Sequence, residues 1–148
     1  MTRERRQSRP RAVSILLGAL GFLGVSGIAG GIGILGGFID LPLDWLGGSP
    51  FPDYLVPGLA LFAFLGVLPL LVAFGLYARK LWAWPGVLAV GIGVLVWFAV
   101  QASVVGWGDF LQWFYLLLGV GILLCAFYPS VRRYANATRV VTRFTGGR

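Results

Sequence analysis

A chain of 148 residues that is 58% hydrophobic and 11% charged departs from the about 45–50% apolar and about 25% charged make-up of soluble domains. With no histidine and a single cysteine, Cys125, it lacks the means for disulfide frameworks, Cys/His zinc sites and His-dependent triads or dyads within one chain. The length holds one domain or one bundle of a few membrane helices, and 12 basic residues against 5 acidic ones give a net charge of +7.

Residues 1–11 form a basic tail with Arg3, Arg5, Arg6, Arg9 and Arg11 against Glu4. The tail has the charge of a signal-peptide n-region. The apolar stretch after it is far longer than the ~7–15 residues of an h-region, and no A-x-A site follows, so a retained helix is expected.

The first span, 12–36, carries glycine at 18, 21, 24, 27, 30, 33 and 36. Each step of three falls about 60° short of a full helical turn, so the glycines wind around the helix. Gly27-x-x-x-Gly31 and Gly33-x-x-x-Gly37 fit the GxxxG packing motif. Gly18, Gly21, Gly24, Gly27, Gly31, Gly33 and Gly37 are therefore the candidate helix-packing residues. A second copy of the chain or another of its own helices fits such a face, and intrachain packing is the simpler reading because small residues do not name their partner. Gly31-x-Gly33-x-x-Gly36 matches a dinucleotide fingerprint in letters only, since no strand precedes it.

Residues 37–56 are rich in Gly, Pro and aromatics and predict a structured cap at the membrane interface. Asp53 is placed to cap the second span, 57–78, with Pro57 tolerated near its first turn. Pro69 lies deeper and predicts a kink unless neighbours satisfy the carbonyl it frees. Trp82 and Trp84 sit at belt depth before the third span, 83–105, which Pro85 opens. A short connection forces the third span and the fourth, 110–128, into a hairpin, and Asp109 with Gln112 resembles a capping box. The tail 129–148 has two readings. One is an amphipathic surface helix with Arg132, Arg139 and Arg143 opposite Val131, Tyr134 and Val141; the other is a disordered segment.

The four spans carry no charge and reach roughly 28–37 Å, against a hydrocarbon core about 30 Å thick. When the chain is threaded in four passes, every cation falls on one side, including Arg79 and Lys80 of the second connection. Asp40, Asp44, Asp53 and Asp109 fall on the other. The expected fold is thus an all-α membrane protein, an antiparallel bundle of four transmembrane helices with cytoplasmic N- and C-termini. The basic tails flank spans and suit anionic lipid headgroups; nucleic acid is not expected as a partner.

Ion-coupled transporters commonly hold a charged residue within the membrane, and these spans have none. The chain matches a small multidrug resistance exporter in size but lacks the embedded glutamate that such exporters depend on. The most polar intramembrane residues are Gln101 and Ser103, which suit either a ligand contact or interhelical adhesion. Adhesion is the simpler expectation, with Gln112 as the partner of Gln101. Asp40, Asp44 and Asp53 match no calcium loop, so no metal is assigned, and no cofactor is expected. Cys125 reads as a small apolar residue.

The segments SPFPDYLVPG at 49–58, GVLPLLVAFGLYARK before WAW, and LVWFAVQASVVG before GDFLQWFYLLLG resemble a group of small four-span bacterial membrane proteins called uncharacterised. The similarity covers most of the chain except the two tails. It implies a bacterial inner membrane and supplies no activity and no site residues. The resulting expectation is a non-enzymatic accessory or scaffold subunit acting through helix–helix contacts, as a homo-oligomer or in a larger membrane complex. The alternative is a small oligomeric transporter or channel for a neutral or lipidic solute.

Overall fold

The computed structural model of the chain describes residues 9–136. Helix α1 runs over Arg11–Leu35, a 3₁₀ turn covers Leu43–Leu46, and α2 spans Leu55–Tyr77 with a π-helical segment at Leu61–Val67. Helix α3 follows over Ala83–Val105, α4 over Phe110–Phe127, and a short α5 over 129–136. There is no strand among the described residues, and the first four helices are each long and apolar enough to cross a membrane.

The helix ends follow from local chemistry. α1 begins after Pro10, whose carbonyl accepts from Val13 N–H at 2.9 Å. It ends in a Schellman motif: Phe38 N–H donates to Gly33 O at 2.9 Å, Gly37 N–H donates to Ile34 O at 3.2 Å, and Gly37 takes φ +69°. Asp53 Oδ1 accepts from Leu55 N–H at 3.0 Å and opens α2, two residues before the expected start. α2 closes with a second Schellman motif, in which Lys80 N–H donates to Gly75 O at 2.8 Å and Arg79 takes φ +54°. α4 stops at Phe127 because Tyr128, extended at ψ 130°, precedes Pro129, which then opens α5.

Pro69 changes the helix register ahead of it. In an α-helix its missing N–H would orphan the carbonyl of Leu65 and its ring would press on that group. Over Leu61–Val67 the chain instead widens to π, and Leu68 N–H donates to Ala63 O, five residues back.

α1 packs chiefly along α2, and α3 along α4, while α2–α3 and α1–α4 contacts complete the bundle. The core comprises Val13, Leu16, Leu20 and Leu23 of α1, Leu65, Val72 and Leu76 of α2, and Val87, Val90 and Val94 of α3, with Ile122 and Ala126 of α4. It extends past residue 128, where the transmembrane domain was expected to end, because Val131, Tyr134 and Ala135 of α5 are buried in it. The first part of the expected tail is therefore a helix packed against the protein itself. Val141, Arg139 and Arg143 of the expected amphipathic face lie outside the described residues. Outward, Ile15, Val25, Phe64, Leu117 and Leu124 are 63–70% exposed, an apolar surface suited to lipid rather than water.

Candidate functional site

The candidate packing glycines of α1 and its C-terminal end divide into three groups. Gly24, Gly27 and Gly31 face α2. A Cβ on Gly27 would land on the Leu65 carbonyl and would come within 2.6 Å of Gly66 N. On Gly31 it would meet Phe62 Cβ at 2.7 Å and Cα at 2.9 Å, and on Gly24 the Leu70 side chain at 2.5 Å and Gly66 O at 2.9 Å. Gly66 returns the contact, since its own Cβ would press on Ile28 N at 2.9 Å. The backbones of α1 and the π segment thus touch, so Gly27-x-x-x-Gly31 packs within the chain.

The second motif is no packing face. Gly33 lies under Ile39 of the cap, at 2.6 Å from a would-be Cβ, and Gly37 supplies the left-handed residue that ends α1. Gly33-x-x-x-Gly37 is therefore a helix terminus that mimics the GxxxG spacing.

Gly18 and Gly21 have no atom within 4 Å of a would-be Cβ. At helical spacing they share a face with Val25, Ala29 and Ile32. Val25 is 63% and Ile32 50% exposed. Phe22, at the edge of this face, stands edge-on to Phe114 of α4 with centroids 5.7 Å apart.

The polar residues bond locally. Asp109 caps α4 by accepting from Leu111 N–H at 3.2 Å. Gln112 does not complete the capping box; its Nε2 donates to Gly106 O at 3.2 Å, in the turn between α3 and α4. Gln112, and not Gln101, is the buried glutamine, and its bond to Gly106 takes the place of the expected pairing with the half-buried Gln101. Ser103 Oγ donates back to Val100 O at 2.7 Å. Among the described residues no buried side-chain nitrogen or oxygen lacks a partner. No three of His, Cys, Asp and Glu among them come together as a metal site would require.

Two features escaped the sequence. The α3–α4 contact has its own glycines: a Cβ on Gly91 would meet Leu123 at 2.6 Å and one on Gly119 would meet Val94 at 2.7 Å. The signal was present in the pairs Gly91-x-Gly93 and Gly119-x-Gly121, but Gly93 and Gly121 face open space and spacing does not tell the two kinds apart. The second feature is a collar of cations and rings. Arg9 lies 4.1 Å over Tyr77, Arg79 4.6 Å over Tyr134 and Arg132 5.5 Å over Trp84. The side-chain hydrogen bond to Tyr77 holds the Arg9 guanidinium above its ordinary pKa. Trp84 Nε1 donates to Ala126 O at 3.0 Å, satisfying one of the carbonyls that the end of α4 leaves open. The N-terminal segment, the α2–α3 turn and α5 are joined at this collar.

At the cap, Tyr54 Oη donates to Pro42 O at 2.7 Å, and desolvation pushes its phenol above the ordinary tyrosine pKa. No family model, curated protein or solved structure matches the chain.

Proposed function

We propose that the protein is a multi-pass membrane protein of the bacterial inner membrane, an antiparallel bundle whose N- and C-termini lie in the cytoplasm. In this reading it works as a non-enzymatic accessory or scaffold subunit. The joining of Arg9, Arg79 and Arg132 in one collar supports the topology, because threading in four passes requires these three segments to share a side. Anionic headgroups of the cytoplasmic leaflet suit that collar and the basic tails.

The observation that carries the scaffold reading is the uncovered face of α1. Gly24, Gly27 and Gly31 are consumed by α2, whereas Gly18 and Gly21, with Val25, Ala29 and Ile32, leave a shallow apolar strip against which a further helix can lie closely. The strip is partnered by another membrane protein, or by a second copy. The middle of the bundle is filled by Leu20, Leu23, Leu65, Val72, Val90 and Val94, so no observation favours a solute path through one chain. Affinity purification in mild detergent tests the reading. A different membrane protein at fixed stoichiometry is the expected outcome for an accessory subunit. Self-association alone favours the oligomeric transporter or channel, and recovery of the chain as a lone monomer overturns both.

A further inference from the structure

α1 and α4 have the lightest of the bundle's main contacts, and where the first turn of α1 passes the end of α4 they leave an open groove of about 570 Å³. Its walls are Ala12 and Ile15 on one side and Leu124 and Cys125 on the other, and its rim carries Arg11, Tyr128 and Ser130. An apolar trough with a cation and two hydroxyls at one end matches one acyl chain beneath a phosphate. Arg11 also differs from the cations of the collar. Arg9, Arg79 and Arg132 each lie over a ring, while Arg11 has neither a ring nor a carboxylate partner among the described residues.

We propose that this groove binds a phospholipid with an anionic headgroup, its phosphate held by the Arg11 guanidinium and the hydroxyls of Tyr128 and Ser130, and one acyl chain lying between Ile15 and Leu124. Basic pockets between helices on the cytoplasmic side recognise anionic headgroups in this manner. Guanidinium suits phosphate because its planar fork donates two parallel hydrogen bonds. The site rests on the membrane-spanning reading above and does not depend on which leaflet the groove meets. The lipid would fill the groove between α1 and α4.

The test titrates the full-length protein in mild detergent with dioleoylphosphatidylglycerol and, separately, dioleoylphosphatidylcholine, counting bound lipid by native mass spectrometry. One phosphatidylglycerol per chain is expected at about tenfold lower concentration than phosphatidylcholine, because both offer a phosphate to Arg11 but the choline cation of the second offsets the attraction and repels the guanidinium. Arg11→Gln should bring the two lipids together and Ser130→Ala should narrow the gap. Arg133→Gln, an exposed cation that does not line the groove, should change nothing. Equal binding of the two lipids, binding of neither, or an equal loss from Arg11→Gln and Arg133→Gln overturns the site. A failure of the topology would appear in reporter fusions and leave this titration unchanged.

Discussion

Replacing Gly27 by alanine sets two effects against each other. Alanine restricts the unfolded chain and favours the helix by about 0.5–1 kcal/mol. Against this, the new methyl would fall on the Leu65 carbonyl and close to Gly66 N. These are backbone atoms of a π segment held by Pro69, so no side chain can swing away and the two helices must separate. Overpacking of this kind costs about 1–3 kcal/mol, leaving a net loss of roughly 1–2 kcal/mol. Gly18→Ala is the matched control, because its methyl meets nothing within 4 Å and only the helix gain remains. The two variants should therefore differ by about 2 kcal/mol, more than tenfold in the folding equilibrium. Reversible denaturation in mixed detergent micelles, followed by helical circular dichroism, measures both. A Gly27→Ala protein as stable as Gly18→Ala would refute the backbone contact between α1 and α2.

Trp84→Phe keeps a ring beneath Arg132 but removes the donor to Ala126 O, and should lower stability by about 1 kcal/mol in the same denaturation assay. Gln112→Leu should cost about 0.5–1.5 kcal/mol through its lost bond to Gly106 O, and a double-mutant cycle with Gln101→Leu should be additive within about 0.5 kcal/mol. Coupling above that would restore a direct Gln101–Gln112 pair. Reporter fusions at Arg148 should be active only in the cytoplasm, and activity of outer-compartment reporters there would reverse the topology.

The spans were legible because each is a charge-free apolar run bounded by strong local signals. The bounds of α3 coincide with the expected 83–105, and α1 is offset by a single residue at each end. Asp109 is the N-cap of α4, whereas at α2 the N-cap is Tyr54 and Asp53, one residue earlier, accepts from the first helical N–H, that of Leu55. What the sequence hid depends on contacts between helices. Pro69 signalled a disturbance, but not that the helix would widen to π ahead of it, nor that the widened turn would lie against Gly24, Gly27 and Gly31. Gly33 and Gly37 were misleading because GxxxG spacing and a Schellman terminus both call for glycine, one for closeness and the other for positive φ. The burial of Val131 and Tyr134 was likewise invisible, because a three-residue apolar face does not say whether protein or lipid covers it.

The division of α1 into a face consumed by α2 and a face left for a partner is tested most directly by a double variant, Gly18→Leu with Gly21→Leu. The Cβ of each leucine would meet nothing within 4 Å, so the unfolding free energy should not fall and should rise by about 1–2 kcal/mol, the helix gain from replacing two glycines. The protein that co-purifies with the parent chain in mild detergent should fall away from the variant. Retention of that partner at parental stoichiometry, with the fold intact, would contradict the account.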